Sequence, residues 1–540
     1  MSQPSNKTTI QEIVKLFNIK REQMNKSNTP IEFEIRMDKK LIKKSEYENI
    51  FKVLYHHGFK INKTDYQLKI QPLLSQRDTS IDPRSYRIEI HSLPYIQSYC
   101  QTEELPNEPH CIHVQKTSLF TKNEKQHSES DTIKNDDYGF RSSIQKEEQL
   151  SNQNTIVKNI ISNWKNLKKG YRYLHRTSLK HPNFPNLRVD MSEVRMQQKK
   201  TTNFNDSGVL QSPVSYEVEI EILNNISSIS SEKYKALSDI VYRKKNEVHY
   251  NNDIWIIDNI DDANIILKKP KNKLNNEDNE YDYEYVTSEN ITHVDEELKK
   301  SKIDLINTEE LEENTTTTNL KTTIKYILSG IQHTPYPVPF TTLNRVLVEY
   351  LDIVQKKLDF PSKKNKDAPY IKSSRHFIGP SSYALQKTNL LPKDNEYNIS
   401  NVSITENFCV TDKADGERKL LFFSKDKKAY FIDTNLNVQY TGIDIMNSTN
   451  LTGTIIDGEH LEKDKYGNRI NIYAAFDIYM YLNNDVRKRP FKKDDNVDEK
   501  SSQEDRYSCL HNAVNIIRTC EKRNIPNAYP LNVTTKEFIF

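Results

Sequence analysis

Two segments of this sequence carry glutamate at every second position, and this alternation constrains the fold more than any other feature. They read I-E-F-E-I-R-M at Ile31–Met37 and Y-E-V-E-I-E-I at residues 216–222. Side chains of a β-strand alternate between two faces, so each segment predicts a strand with one apolar and one charged face. Glutamate is a poor strand former, and like charges on one face repel each other. Two strands this acidic therefore require a physical reason.

Either segment taken alone has a simpler explanation, which is the solvated face of a half-buried sheet. Their occurrence together favours a second explanation. A hard divalent cation bound by several carboxylate oxygens would neutralise the repelling charges. The sequence thus predicts a metal site on the charged face of these strands.

The rest of the chain predicts several domains, because 540 residues are too many for one compact core. Alternating runs between polar turns continue to about residue 230 and predict an antiparallel barrel or sandwich over residues 1–230. Residues 231–370 are expected to form a helical connection with a low-complexity insertion at about 268–319. Strand and turn patterns return over residues 371–540, which we expect to form an α+β domain.

Charge and composition exclude some classes of protein. The net charge of +3 gives no overall attraction to nucleic acid, so any such binding must use clustered basic residues. The five cysteines form no CxxC pair, which argues against a thiolate zinc site and a disulfide framework. The sequence has neither a signal-peptide pattern nor an apolar run long enough to cross a membrane. We expect a soluble cytoplasmic protein without a membrane partner.

The paired E-x-E-x-R and E-x-E-x-E strands resemble those of the triphosphate tunnel metalloenzyme family. The resemblance implies an eight-stranded antiparallel barrel around a tunnel that holds Mg²⁺ or Mn²⁺ and a triphosphate. It implies that Glu32, Glu34 and Glu221 contact the metal, while Glu217 and Glu219 hold the metal-bound water or basic side chains. Arginine offers paired contacts to phosphate. The phosphate-binding candidates, each otherwise a solvated surface charge, are Arg36, Arg87, Arg141, Lys169, Arg172, Arg176 and Arg188.

A second motif set lies near the C-terminus. Residues 410–418 read V-T-D-K-A-D-G-E-R, which alone could be a turn between strands. The K-x-D-G-x-R pattern resembles motif I of the covalent nucleotidyltransferases. I-I-D-G-E-H-L at residues 455–461 and I-Y-A-A-F-D-I at 472–478 resemble motifs III and IIIa, and F-I-G-P at 377–380 resembles the segment before motif I. The two motif sets in this order resemble mRNA capping enzymes of large DNA viruses, of the poxvirus, asfarvirus and mimivirus types.

This second resemblance implies a role for each motif residue. Lys413 would attack the α-phosphate of GTP as a neutral amine, and burial beside Arg418 and the metal would lower its pKa from about 10.4. Arg418 would contact the sugar and phosphate, and Glu459 the ribose or metal. The remaining implied roles are base stacking by Phe476, a position near the metal for Asp477, and shaping of the Lys413 turn by Asp415 and Gly416.

The resemblance also sets expectations for partners and for completeness. The substrates would be GTP and the 5′ end of nascent RNA. A small methyltransferase-stimulating subunit or a C-terminal cap methyltransferase domain would be the partner, in a viral factory or virion if the protein is viral. Motifs IV and V and the OB-fold do not occur before Phe540. We therefore expect weak GTP binding and little covalent adduct.

Two alternatives remain open at this stage. An ATP-dependent polynucleotide ligase would place AMP on Lys413, although a ligase needs no triphosphate tunnel. An inactive paralogue would keep only RNA binding.

Overall fold

The computed structural model describes both the barrel predicted near the N-terminus and the domain predicted near the C-terminus. The described residues are 10, 13, 14, 31–74, 85–118, 132–197, 199–223, 315–357, 376–398, 402–405, 408–445, 450–493, 504–523, 525 and 529–540, with five strands between 247 and 293. The chain divides into two compact units: residues 1–135 with 139–327, and residues 136–138 with 328–540.

Nine strands and three helices make up most of the first unit. The strands are β1 (Ile31–Met37), β2 (Lys60–Pro72), β3 (Tyr86–His91), β4 (Cys111–Ser118), β5 (Thr132–Asn135), β6 (Phe140–Leu150), β7 (Lys169–His181), β8 (Phe184–Met196) and β9 (Val214–Ile222). The helices are α1 (Lys44–His56), α2 (Leu93–Thr102) and α3 (Thr155–Ser162).

Eight of these strands form a closed antiparallel ring. Their order is β1-β9-β8-β7-β2-β3-β4-β6, and pairing of β6 with β1 closes it. The short β5 pairs with one end of β6, beyond the segment that β4 covers. The prediction of an eight-stranded antiparallel barrel is confirmed.

The apolar core of this unit lies outside the ring rather than within it. Ile88 and Ile90 of β3 pack with Ile96 of α2 and with Val157 and Ile160 of α3. On β1, the apolar residues of the alternating pattern are buried, while the charged residues between them are only partly covered. Because the helices cover the apolar outer faces, the charged faces line the interior.

The described strands of the expected helical connection form an antiparallel sheet instead. They are β10 (Glu247–Tyr250), β11 (Asp253–Ile260), β12 (Ile265–Pro270), β13 (Tyr281–Val286) and β14 (Thr292–His293), in the order β13-β12-β11-β10-β14. The structure thus has strands in part of the segment where a helical connection was predicted, whereas residues 315–332 and Phe340–Lys357 are helical as predicted. In β13, Tyr alternates with Asp and Glu, and this is a strand pattern within a repetitive composition. The helix predicted just after residue 231 lies outside the described residues.

The second unit is a largely antiparallel sheet with a helix on each face. Its elements are α4 (Phe340–Lys357), β15 (Glu417–Phe423), β16 (Lys428–Asp433), β17 (Val438–Asp444), β18 (Ile455–Lys463), β19 (Arg469–Tyr481), β20 (Asn484–Asp485), α5 (Arg506–Arg518), β21 (Glu521–Lys522) and β22 (Asn532–Thr535). The sheet order is β20-β19-β18-β15-β16-β17-β21, and β22 runs parallel beside β19.

Strand β15 shows how this sheet is buried on both sides. Leu420 and Phe422 pack on the side of α4, whereas Leu421 and Phe423 pack on the side of α5. Alternate side chains of the strand thus enter two different cores, which explains its continuous apolar sequence.

Among the helices that the structure describes, none is long and apolar enough to cross a membrane.

Candidate active sites

The interior of the barrel is a charged cavity of about 890 Å³. Of the charged side chains that line it, nine are Lys or Arg and seven are Asp or Glu. Its lining includes the predicted residues Glu32, Glu34, Arg36, Arg87, Arg172, Arg176, Arg188, Glu219 and Glu221. The lining draws residues from all eight strands of the ring, β1 to β4 and β6 to β9, into a single chamber.

The two acidic strands are neighbours in the ring, and their register aligns the charged residues. Glu34 lies directly opposite Glu221, and Arg36 lies opposite Glu219. On the other side of β9, Arg188 pairs with Glu221 in register. Opposite residues of antiparallel strands share a face, so these groups meet in the cavity.

One part of the wall is an arginine cluster around Glu219. Arg36 Nε lies 2.6 Å from its carboxylate, and Arg176 Nη2 lies 3.0 Å away. Burial would raise the pKa of Glu219, but these guanidiniums outweigh it and lower the pKa to about 2. Arg172 forms an ion pair with Glu217 in the same way. Glu217 and Glu219 thus hold basic side chains, one of the two roles expected for them.

Another part of the wall holds carboxylates whose pKa values are raised. Burial raises the pKa of Glu32 to about 7, and Glu147 and Glu34 add to the shift against the opposing Lys116. The pKa of Glu221 is also raised, mainly by burial and further by Asp190 and Glu147, against the opposing Arg188. In both cases burial is the main cause, because it disfavours the charged carboxylate. A cation bound here would favour the ionised form of both groups.

These carboxylates are ligands of the type that a hard divalent cation binds. Carboxylate oxygens suit Mg²⁺ and Mn²⁺, and Glu34 faces Glu221 across adjacent strands. In this structure Glu32 contacts Lys116, while Glu221 contacts Arg188. Within the described part of the chain, no three His, Cys, Asp or Glu side chains converge closely enough to hold a metal. Metal binding would require these ion pairs to rearrange, and the metal assignment stays a prediction.

The cavity residues that were not predicted from the sequence include two ion pairs, formed by four charged side chains. Lys69 Nζ lies 2.9 Å from Glu89, and Lys116 Nζ lies 3.1 Å from Glu147. Arg87 connects the two pairs through contacts of 2.5 Å to Glu89 and 3.2 Å to Glu147. Each of the four follows from strand alternation, once the inward face of its strand is known.

Two predicted phosphate-binding residues do not line the cavity. The Lys169 side chain is buried, and its ammonium donates hydrogen bonds to the backbone carbonyls of Trp164 (2.6 Å) and Leu167 (2.9 Å). Lys169 is three positions from Arg172, so the two face opposite sides of β7. Arg141 lies opposite Arg36 in register, but its side chain is exposed and is not part of the lining.

In the second unit, the loop before β15 holds Lys413 in an exposed position. Its Nζ lies 2.5 Å from Asp415, and both side chains are largely exposed, at 84% and 92%. The hydrogen bond and charge of Asp415 raise the pKa of Lys413. The expected depression of this pKa by burial is therefore not found in this structure, because no surface among the described residues covers the amine.

Arg418 is held by groups of the protein itself. Its Nε and Nη2 donate to the two carboxylate oxygens of Asp457, at 3.1 and 2.5 Å, and its Nη1 donates to the Pro380 carbonyl at 2.6 Å. The guanidinium lies 5.4 Å from the Phe377 ring centre and 5.8 Å from that of Phe476. The Arg418 side chain, which belongs to the motif I segment, thus contacts three other segments. They are F-I-G-P and the segments that resemble motifs III and IIIa.

Close approach of neighbouring atoms requires glycine at three positions of these segments. A Cβ on Gly379 would lie 2.5 Å from Arg418 Nη2, and a Cβ on Gly416 would lie 2.8 Å from the His460 carbonyl oxygen. A Cβ on Gly458 would lie 2.8 Å from the Ala474 carbonyl oxygen. Any side chain at these positions would displace its neighbour.

Lys536 joins this group, although no motif predicted it. Its Nζ lies 3.4 Å from Glu459, 3.2 Å from the Asp412 carbonyl oxygen and 5.5 Å from the Phe476 ring centre. It follows β22, which runs beside β19 and so brings Lys536 next to the motif residues. Asp477 instead pairs with Arg506 at 2.9 Å.

Comparison with known proteins gives matches among solved structures alone. No protein-family model matches the chain, and no curated protein matches it. The RNA triphosphatase domain of a trifunctional mimivirus mRNA capping enzyme is 16% identical and matches over 43% of this chain and 96% of its own, with a TM-score of 0.28. A triclinic structure of mimivirus capping enzyme triphosphatase is 17% identical. This match covers 43% of this chain and 98% of that chain, with a TM-score of 0.29. Values this low do not establish a shared activity.

Proposed function

We propose that this chain performs two steps of mRNA 5′ capping. The barrel would remove the γ-phosphate from triphosphate-ended RNA, and the second unit would transfer GMP from GTP to the resulting diphosphate end. The observation that carries the proposal is the barrel interior, where clustered arginines lie beside buried carboxylates whose pKa values are raised. A triphosphate would contact the arginines, and its divalent metal would contact the carboxylates.

The arginines of the barrel are oriented before substrate binds. Glu219 stays ionised because its pKa is low, so it positions Arg36 and Arg176 rather than moving a proton. Guanidiniums held in this way can donate to phosphate oxygens without reorganisation in the transition state. Glu32, Glu34 and Glu221 would hold the metal, which when bound would polarise the phosphoryl group and activate water.

In the second unit, the proposed nucleophile is Lys413. Its Nζ would form a bond to the α-phosphorus of GTP while the bond to pyrophosphate breaks, and the amine would lose its proton. The raised pKa of Lys413 favours the protonated amine in the present state. Nucleotide binding must therefore separate Lys413 from Asp415 and cover it. Arg418, held by Asp457, and the Phe476 ring would line the nucleotide, with Lys536 as a further cation beside it.

Release of the terminal phosphate tests the first step directly. The chain should release labelled phosphate from RNA that carries the label at the γ position and should leave the α label on the RNA. EDTA should stop release, and Mg²⁺ or Mn²⁺ in excess should restore it, because the carboxylates need the ion to contact phosphate. Release of the α label, or undiminished release in EDTA, would contradict a metal-dependent RNA triphosphatase.

A pair of substitutions on β7 separates phosphate binding from structural support. Lys169→Met should lower the free energy of unfolding of the barrel by about 1–3 kcal/mol, because it leaves two buried carbonyls without their donor. Arg172→Met should instead lower kcat/KM for RNA by about 10- to 100-fold, the value of one charged hydrogen bond to phosphate. Urea unfolding followed by tryptophan fluorescence measures the first effect, and phosphate release measures the second. The reverse pattern would restore Lys169 as a phosphate ligand.

The proposal also names partners and a compartment. The partners are the 5′ end of nascent RNA, GTP, and either a methyltransferase-stimulating subunit or a cap methyltransferase domain. The proposed compartment is the cytoplasm.

A further inference from the structure

One end of the barrel cavity is bordered by a surface that the proposed chemistry does not use. Gly170 at the start of β7 and residues at and just after the end of β8 line the cavity there. We call Gly170, Met196, Gln197, Lys199 and Lys200 the basic rim. Met196 and both lysines are exposed.

The backbone next to the rim lysines is fixed to β7. Thr201 and Lys169 exchange two backbone hydrogen bonds of 2.6 and 3.1 Å. Gln197 accepts a hydrogen bond from the Tyr171 amide on its Oε1, at 2.9 Å, and its Nε2 donates to Thr201 Oγ1 at 3.2 Å. The rim therefore presents its lysines from a supported position at the cavity edge.

The rim lysines differ from the cations deeper in the cavity. Each of the seven interior cations forms an ion pair with a carboxylate: Arg36, Lys69, Arg87, Lys116, Arg172, Arg176 and Arg188. In the part of the chain that the structure describes, neither Lys199 nor Lys200 has such a partner. Their positive charge is uncompensated, and it lies next to the exposed apolar side chain of Met196, which is 54% exposed.

We propose that the basic rim binds the RNA strand that follows the 5′ triphosphate. This inference rests on the proposed triphosphatase function and adds an expected preference for an RNA end over a free triphosphate. The two ammonium groups would contact backbone phosphates downstream of the first nucleotide, and the Met196 thioether would pack against a base. Inorganic tripolyphosphate would occupy the interior without reaching the rim.

Charge reversal at the rim tests this proposal in the full 540-residue chain. Lys199→Glu combined with Lys200→Glu should raise the Kd for a short 5′-triphosphate RNA at least about tenfold, through loss of two phosphate contacts and added repulsion. The Kd for inorganic tripolyphosphate should stay within about twofold of the wild-type value, because the interior cations are unchanged. Titration calorimetry in EDTA measures both constants without turnover.

Salt dependence provides a second readout that a structural defect would not reproduce. Each phosphate contact to a single strand contributes about 0.7 to the slope of log K against log salt, so the slope for RNA should fall by about 1.4. The matched control is Lys39→Glu with Lys40→Glu, an adjacent exposed lysine pair that does not line the cavity. If the double Glu variant unfolds, Lys199→Gln with Lys200→Gln removes the charges without reversing them.

Each outcome of these experiments either supports or contradicts the proposal. The proposal would be overturned if the rim variant bound RNA as the wild-type chain does, or if it lost affinity for RNA and tripolyphosphate equally. It would also be overturned if the control variant had the same effect, or if the wild-type chain did not bind RNA. Selective loss of RNA binding supports it. A wild-type chain that binds RNA at the rim but releases no phosphate would contradict the proposed hydrolysis alone.

Discussion

Replacing Glu34 or Glu221 by Ala should abolish release of the γ-phosphate from triphosphate-ended RNA. The two carboxylates face each other on β1 and β9, and each is proposed to hold the divalent ion. Charge stabilisation by a metal is worth several kcal/mol, and each 1.36 kcal/mol is tenfold, so kcat should fall by at least about 1,000-fold. Steady-state phosphate release in saturating Mg²⁺ or Mn²⁺ measures the loss.

A glutamate on the outer face of the barrel is the matched control. Glu193 lies on β8, is exposed and does not line the cavity. Glu193→Ala should therefore keep turnover within about twofold of the wild-type rate, as expected for a surface substitution. Circular dichroism should show all three variants folded. Near-normal turnover in both Glu34→Ala and Glu221→Ala would show that the metal site lies elsewhere.

Lys413→Arg should eliminate any covalent adduct between the chain and GMP while leaving phosphate release by the barrel unchanged. Arginine keeps the positive charge, but its guanidinium cannot supply a neutral nitrogen at accessible pH. The wild-type chain should form a low yield of an acid-labile, alkali-stable adduct when incubated with GTP labelled at the α-phosphate. Peptide mapping should place that label on Lys413.

Lys465→Arg is the control for this substitution, since Lys465 is an exposed lysine in the turn between β18 and β19. It should leave the adduct intact. GMP on a different lysine would overturn the site. AMP in place of GMP on Lys413 would favour a polynucleotide ligase, and the absence of any adduct would favour an inactive paralogue.

The barrel could be predicted from the sequence because its strands obey a strict period of two. In Ile31–Met37 the alternation assigned Glu32, Glu34 and Arg36 to one face, and the structure places all three along the cavity. The same rule places Arg172 and Lys169 on opposite faces of β7, because they are an odd number of positions apart. Lys169 therefore faces away from the cavity, although it lies in the same basic run as Arg172.

Other parts of the site could not be read from the sequence, because they depend on which strands become neighbours. Lys69 and Lys116 belong to ordinary alternating strands, and only the closed ring shows that they face carboxylates from other strands. The exposure of Lys413 depends on what covers its loop, which motif spacing does not specify. Lys536 reaches Phe476 through the parallel pairing of β22 with β19, a tertiary contact without a local signal.

The closure of the ring has a consequence for how the protein folds during synthesis. The strand that closes it, β1, pairs with β6 on one side and with β9 on the other. Its partner β9 ends at Ile222, so the first described strand must remain unpaired on that side until the ninth has left the ribosome. Contacts this distant in sequence are slow to form. Glu34 and Glu221 therefore come together only after the last strand of the ring has been synthesised, and no shorter nascent chain can present both carboxylates of the proposed metal site.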